Sequence, residues 1–496
     1  MEPQPSRLSG ETAMNHRDEL DHTQTSRVAG ETDYTQLSRA DLTFSFCLVT
    51  SLFFLWGLSY GLLDVLNQHF LTIFHLDHTQ TTLLQFAYFV AYLTTAPPMS
   101  FFMRRYGYKK GIHIGLGLFS IGAVMFWPAA KFAYYGMFVA FTWVAASGLA
   151  TLEVAANSYI LLLGSPRYGA LRLTLAQSFN GVATVIGPII AAHTFFNGAN
   201  AYSLDTVQYV YLALSVFALL INILVFFAKL PEVRQVVTVD QQAKVSKSGF
   251  FKQYHTIFGF LAEWFYVGAQ VAVASFAIFY IVEQPGISPP ISQATASNMY
   301  SGCQAVFTLG RFFGVVYLKW LDPAFSLFLN GIGLCLFSIL TSTIKGYGGI
   351  ACLFLIFWFE SICYPVIFSI ATADLGSYQK IGSGLIAVGV SGGAAYPSMQ
   401  GALSDAKGTH ISYLIPLTGF VPLTMYGFGM WIARSRKYGG KITIWAKHTN
   451  LDVDEVRHHE EGLPKESHGA ELEGVPSQGG AGGQKPKEDP LHTERL

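Results

Sequence analysis

The sequence predicts an all-α membrane protein in which twelve transmembrane helices form two six-helix halves. This prediction rests on the composition, on the number of long apolar runs and on one polar break between them. Of the 496 residues, 51% are hydrophobic and 12% are charged, whereas a charged fraction of about 25% is usual in soluble domains. Lys+Arg and Asp+Glu are balanced at 31 each, so the net charge gives no reason to expect nucleic acid as a partner.

Twelve apolar runs are long enough to cross a hydrocarbon core of about 30 Å, which takes about 20 helical residues. In the first half they lie near residues 43–66, 81–102, 111–129, 133–163, 172–196 and 208–230. In the second half they lie near residues 254–282, 297–318, 325–343, 347–373, 382–403 and 411–434. The polar segment PEVRQVVTVDQQAKVSKS separates the two sets.

The predicted domains follow from these runs. We expect a disordered cytoplasmic tail (1–41), an N-terminal six-helix bundle (42–230), a cytoplasmic linker (231–251), a C-terminal six-helix bundle (252–435) and a second disordered cytoplasmic tail (436–496). Both tails are polar, which is typical of segments that cannot bury enough apolar surface to fold.

The basic residues predict the orientation. Arg104 and Arg105 follow the second run, and the linker carries Arg234, Lys244 and Lys247, whereas the loops on the opposite side are poor in Lys and Arg. Because cytoplasmic loops are enriched in basic residues, the linker and both termini should be cytoplasmic. No organelle signal is evident, so we expect the protein in the lipid bilayer of the plasma membrane. We also expect it to be a monomer.

No pattern in the sequence indicates catalysis or metal binding. The five cysteines lie in or beside apolar runs, without CxxC or metal-ligand spacing. We therefore expect no cofactor and no metal, and a polytopic membrane enzyme is disfavoured because no catalytic constellation is present.

Polar residues recur at membrane depth in the first half. In the first run, Trp56, Tyr60 and Asp64 are spaced four residues apart, which places them on one helical stripe. The fourth run contributes a second pair, and the fifth run contributes a third: Glu153 with Asn157, and Gln177 with Asn180. An ionisable residue at this depth is costly, so Asp64 and Glu153 are functional candidates.

This set of residues is suited to a sugar and a proton. Amides and carboxyls can bind sugar hydroxyls, and an aromatic ring can cover the apolar C–H face of a sugar. A carboxyl withdrawn from water can bind and release a proton. Structural interpretations stay open, because interhelical amide bonds are common in bundles and aromatic residues also pack in cores.

The second half offers fewer candidates. Gln270 in the seventh run is a candidate sugar contact, and Glu263 on the same face is interpreted as structural, near the cytoplasmic end. In the tenth run Glu360 and Tyr364 share a face, and Pro365 should kink the helix.

Three further residues of the eighth run complete the set. Asn298 and Gln304 are weaker candidates for polar contacts. Arg311, like Arg104 and Arg105, is predicted to lie at a helix end, where it sets topology or clamps helices at a cytoplasmic gate.

The two halves resemble one another. MRRYG, starting at Met103, matches GRFFG, starting at Gly310, and LGSPRYG, starting at Leu163, matches LGSYQKIG, starting at Leu375, at nearly the same offset. Such matches indicate a duplicated six-helix unit, which is typical of transporters with the major facilitator fold.

Five motifs carry a resemblance to a known family. They are FFLWG from Phe53, LEVAANSYI from Leu152, LRLTLAQSFN from Leu171, YVGAQVAVASF from Tyr266 and ESICYPVIFS from Glu360. In this order and spacing they resemble the L-fucose/proton symporter family of the major facilitator superfamily, over about residues 43 to 435.

The resemblance implies roles for individual residues. Asp64 and Glu153 match the two acids assigned to proton coupling and substrate recognition, Gln177 and Asn180 match sugar contacts, and Trp56 matches the aromatic residue. The chain departs from the family at SYGLLD, which lacks the asparagines expected before the first acid. It also departs at Glu360, where an uncharged residue is expected, so Glu360 either adds a second proton site or alters specificity.

The sequence thus predicts a proton-coupled sugar symporter for L-fucose or a related hexose, working by alternating access. Two alternatives remain open at this stage. One is a sugar receptor of the same fold that does not transport, and the other is a passive or sodium-coupled sugar transporter.

Overall fold

The computed structural model describes residues 37–74, 78–194, 204–233, 249–439 and 442–446. The predicted linker lies mostly outside these residues, as do most of both predicted tails. In the first half the described residues form six helical passages. These are α1 (Arg39–Phe74), α2 (His78–Tyr106), α3 (Tyr108–Val124 and Phe126–Lys131), α4 (Tyr135–Leu162), α5 (Gly169–Thr194) and α6 (Asp205–Phe227).

The second half has the same plan. Its passages are α7 (Tyr254–Val282), α8 (Gln293–Tyr317), α9 (Pro323–Thr343), α10 (Tyr347–Glu360 and Cys363–Ala371), α11 (Gln379–Val388, the 3-10 segment Gly389–Ala394 and Tyr396–Lys407) and α12 (Thr409–Ser412 and Leu414–Gly439). The prediction of an all-α fold with twelve passages in two halves is confirmed.

Eight of these passages are long and apolar enough, within the described residues, to cross a membrane by length and composition alone. The other four are α2, α5, α8 and α11. These four form the main contact between the halves, because α2 packs against α11 and α5 packs against α8. Their higher polarity fits this position, since polar side chains that face protein do not have to be buried in lipid.

Helix α10 is interrupted where the sequence predicts a kink. Pro365 has no backbone N–H and its ring clashes with the carbonyl four residues earlier, so a regular helix cannot continue past Ser361. The first segment of α10 accordingly ends at Glu360 and the second begins at Cys363.

On the linker side, meaning the end of the bundle where α6 ends and α7 begins, side chains connect the two halves. The Lys380 ammonium of α11 lies 4.6 Å from the centroid of the Tyr108 ring and 3.9 Å from a carboxylate oxygen of Glu232. The Arg104 guanidinium lies 5.7 Å from the centroid of the Tyr378 ring. The halves are therefore closed against each other on this side.

The α2–α11 contact is close enough to require a glycine. A side-chain Cβ built at Gly384 would collide with the Ser100 side chain and lie 3.2 Å from the carbonyl oxygen of Ala96. A Cβ contact at that distance is tight, so a larger residue at position 384 would separate the two helices.

Candidate functional site

A cavity of about 100 Å³ lies between the two halves, bounded by residues of both. We call it the central cavity. Its polar lining residues are Asn180, Thr184, Gln270, Gln304, Arg311 and Glu360, and its aromatic lining residues include Trp56, Tyr60, Tyr88, Tyr92 and Tyr364. It is smaller than the roughly 300 to 1,000 Å³ typical of ligand pockets, so a ligand would need the helices to move apart slightly.

The aromatic side of the central cavity is held in place by contacts between α1 and α2. The Trp56 Nε1 donates a hydrogen bond to the Tyr88 hydroxyl at 3.1 Å. The rings of Tyr60 and Tyr88 lie 6.0 Å apart, and Trp56 lies 6.4 Å from the ring of Tyr364 across the cavity. The indole face is thus fixed by its own N–H, which leaves a preformed aromatic wall.

Asn157 and Gln177 belong to a buried network beside the cavity lining. The Gln177 Nε2 donates to the Asn157 Oδ1 at 3.1 Å, and the Asn157 Nδ2 donates to the Tyr364 hydroxyl at 3.2 Å. Both amides are fully buried and neither lines the cavity. In this conformation they connect α4, α5 and α10 and position Tyr364.

Arg311 lies in the wall of the central cavity, six residues before the end of α8. Its Nη1 donates to the carbonyl oxygen of Gln177 at 2.5 Å and to the Oδ1 of Asn180 at 3.2 Å, and its Nε donates to the carbonyl oxygen of Ser361 at 3.1 Å. This guanidinium therefore bonds to α5 of one half and α10 of the other. Its position is deeper than the helix end expected from the sequence.

Three glutamates are buried between the halves: Glu153 on α4, Glu263 on α7 and Glu360 on α10. None of their carboxyl oxygens has a hydrogen-bond partner among the described residues. Tyr92 interacts with Glu153 without a hydrogen bond of normal geometry. A buried carboxylate without partners is far more costly than a buried neutral carboxylic acid. These surroundings therefore favour the neutral, protonated form of all three groups.

The three acids differ in their access to the cavity. Glu360 is one of its lining residues, whereas Glu153 and Glu263 are not. Glu153 and Glu263 each lie nine residues from the linker-side end of their helices, so they sit at a similar depth. Glu263 packs under Gly389 of the 3-10 segment in α11 and interacts electrostatically with Glu153.

The remaining predicted site residues have varied positions. Asp64 is part of α1, but its side chain lies outside the described residues. Asn298 is exposed on α8, and Arg105 is exposed at the end of α2. The Gln304 Nε2 donates to the Tyr300 hydroxyl at 2.8 Å within α8.

Sequence reasoning missed the contribution of α2. Tyr88 and Tyr92 both line the central cavity, together with Phe89. Their spacing of four residues places the two tyrosines on one face of the helix. This spacing, in one of the four less apolar passages, could have identified α2 as part of the site.

A larger cavity, of about 910 Å³, lies elsewhere in the second half. It is lined mainly by apolar residues of α7, α10 and α12 near the linker side, and it contains none of the three buried acids. The chemistry expected of a sugar and proton site is thus concentrated in and beside the smaller central cavity.

Comparison with known proteins gives consistent matches along most of the chain. The family model of the Major Facilitator Superfamily matches residues 48–398. A glucose/galactose transporter of Brucella abortus biovar 1 (strain 9-941) is 33% identical over 396 residues, a match that covers 79% of this chain and 95% of the transporter. An L-fucose-proton symporter of Haemophilus influenzae is 30% identical over 418 residues, covering 78% of this chain and 96% of the symporter.

A solved structure matches the fold as well. The crystal structure of FucP, a Major Facilitator Superfamily transporter in the outward conformation, superposes with a TM-score of 0.68 at 30% sequence identity. The superposition covers 79% of this chain and 99% of that chain. The match thus extends over nearly the whole length of that transporter.

Proposed function

The chain belongs to the Major Facilitator Superfamily, and on that premise we propose that it is a proton-coupled sugar symporter working by alternating access. Its substrate is L-fucose or a related hexose. The names of the two relatives support a hexose, since one is a glucose/galactose transporter and the other an L-fucose-proton symporter.

The single observation that carries the proposal is the lining of the central cavity. Trp56 and Tyr60 offer aromatic faces for the C–H side of a sugar ring, and Asn180 and Gln270 offer amides for its hydroxyls. These four residues come from α1, α5 and α7, so a sugar bound there contacts both halves. A ligand held by both halves can couple its binding to their relative movement.

The proton-coupling groups in this proposal are Asp64 and Glu153. Glu153 is buried without a hydrogen-bond partner among the described residues, and a neutral carboxylic acid is the form that such a place tolerates. When the halves separate, water reaches the carboxyl and allows it to release its proton. Only the fully loaded or the empty site then reorients readily, and this rule couples the sugar to the proton.

Alternating access follows from the contacts between the halves. The linker side is closed by Lys380, Glu232 and Tyr108, and by the packing of α2 against α11. Breaking these contacts would open the central cavity towards the linker side. We propose that this side is cytoplasmic, with both termini, and that the protein is a monomer in the lipid bilayer of the plasma membrane.

Uptake into proteoliposomes tests the proposal. Labelled L-fucose is supplied with and without an inward proton gradient, and wild-type protein is compared with Asp64→Asn and Glu153→Gln. We expect accumulation that needs the gradient and is lost in both variants. Asp405→Asn, which neutralises an exposed acid on α11, is the matched control and should accumulate sugar normally.

Each alternative predicts a different result. A sodium-coupled transporter would accumulate sugar with a sodium gradient alone, and a passive transporter would only equilibrate it. A receptor would bind sugar without any flux. Any of these three results would contradict proton symport.

A further inference from the structure

The break in α10 holds Glu360 at the central cavity. Pro365 leaves the carbonyl of Ser361 without its helical partner, and the Arg311 Nε donates to that carbonyl at 3.1 Å. The Tyr266 hydroxyl donates to the carbonyl oxygen of Glu360 at 2.7 Å. The backbone at the break is therefore satisfied by two buried side chains, which fix the point where the Glu360 side chain leaves the helix.

The side chain of Glu360 itself has no such partner. It is 1% exposed, it lines the central cavity, and neither carboxyl oxygen accepts or donates a hydrogen bond within the described part of the chain. An ionised carboxylate there would be buried without compensation, so these surroundings favour the protonated acid. A protonated acid on the cavity wall can bind a sugar hydroxyl as donor or acceptor, and it can also carry the proton.

Four titratable side chains interact electrostatically with Glu360: Tyr266 on α7, Cys303 on α8, Cys363 on α10 and Tyr413 on α12. Arg311 and four tyrosines line the same cavity, namely Tyr60, Tyr88, Tyr92 and Tyr364. Only one of these side chains is a permanent cation, the guanidinium of Arg311. No second carboxyl is among them.

Arg311 lines the same cavity as Glu360 and is shared between the halves. Its Nη1 holds the Gln177 carbonyl and the Asn180 side chain of α5, and the guanidinium lies 4.5 Å from the centroid of the Phe307 ring.

We propose that Glu360 is a second proton-binding site of the transport cycle, so that each sugar crosses with two protons. The first proton is held by Asp64 or Glu153, and the inference rests on the proposed symport function. When the linker side opens, water reaches the Glu360 carboxyl and allows it to release its proton.

The proton stoichiometry is measured from sugar accumulation at equilibrium. Proteoliposomes are held at zero membrane potential with potassium and valinomycin, and labelled L-fucose is equilibrated at several imposed pH differences. Accumulation rises about tenfold per pH unit with one coupled proton and about a hundredfold with two. We expect about a hundredfold for the wild type and about tenfold for Glu360→Gln.

Two further variants make the test specific. Glu263→Gln neutralises an equally buried acid outside the cavity, and its sugar accumulation should still rise about a hundredfold per pH unit. Glu360→Asp keeps a titratable group at the same place, and its accumulation should show the same rise. The wild-type slope needs no variant, so the test does not depend on whether Glu360→Gln folds.

The outcomes separate this inference from the proposed function. A wild-type dependence of about tenfold per pH unit would overturn the second proton site while leaving symport intact. If accumulation rises about a hundredfold per pH unit in both wild type and Glu360→Gln, the second proton is not held by Glu360. Loss of the hundredfold rise in Glu263→Gln would also overturn the assignment to Glu360. No gradient-driven accumulation in the wild type would contradict the symport function itself.

Discussion

Replacing Lys380 by methionine should open the linker side of the transporter. In the structure, the Lys380 ammonium lies 3.9 Å from Glu232 and 4.6 Å from the centroid of the Tyr108 ring, and the residue is 8% exposed. An ion pair is worth up to about 1 kcal/mol and a partly buried cation–π contact about 0.5 to 2 kcal/mol. Methionine keeps much of the packing but loses both interactions.

The expected shift follows from these magnitudes. Losing about 1 to 3 kcal/mol from the closed linker side raises the population of the open state about 5- to 150-fold relative to the closed one. Sugar binding should survive, because Lys380 does not line the central cavity.

Thiol labelling measures this shift. Ser100 is 1% exposed in the α2–α11 contact, so Ser100→Cys should react with a maleimide only when the linker side opens. The exposed Cys47 is first replaced by serine. The control is Lys319→Met, because Lys319 is exposed and its cation–π partner, Trp320, belongs to the same half.

Two labelling results would contradict this prediction. If Lys380→Met labels at the parent rate, the ion pair and the cation–π contact do not hold the linker side closed. An increase of the same size in Lys319→Met would show that the effect is not specific to the contact between the halves.

Three further predictions concern single contacts. Gly384→Val should also raise the labelling of Ser100→Cys, since overpacking the α2–α11 contact costs about 1 to 3 kcal/mol; an unchanged rate would show that the contact tolerates a side chain. Asn157→Leu should lower the melting temperature in detergent, because two buried side chains lose their partner at about 1 to 3 kcal/mol each, and an unchanged Tm would contradict the network. Trp56→Phe should raise the KM for sugar uptake by about tenfold, because it shrinks the aromatic wall and removes the bond to α2, and an unchanged KM would remove Trp56 from the site.

Much of the fold could be predicted from the sequence. Backbone polar groups cannot be left unbonded in lipid, so each crossing needs an apolar helix of about 20 residues. The number and order of the apolar runs therefore match the observed passages. The kink expected at Pro365 was also accessible, because it follows from a missing N–H.

The candidate site was predictable only in part. Helical spacing shows which residues share a face, and Trp56, Tyr60, Asn180 and Gln270 do line the central cavity. Spacing does not show which helix that face meets. Asn157 therefore proved to bond to its neighbours instead of lining the cavity in this conformation.

The depth of a side chain in the bundle and its hydrogen-bond partners were the hardest features to predict from the sequence. The sequence favours a structural role for Glu263 towards the cytoplasmic end, but it does not show that this acid is fully buried without a hydrogen-bond partner among the described residues. The sequence predicts Arg311 at a helix end, setting topology or clamping helices; in the structure it lies deeper, beside the cavity, and bonds to both halves. Both positions depend on contacts between helices that are far apart in sequence, which local patterns do not report.

The most direct test of sugar and proton coupling is to ask whether sugar alone drives protons. Proteoliposomes containing a pH-sensitive dye are prepared without any ion gradient, and L-fucose is then added outside. The account predicts that the internal pH falls on sugar addition with wild-type protein, and that it does not fall with Glu153→Gln or with protein-free liposomes. Entry of labelled L-fucose without a change in internal pH would contradict it.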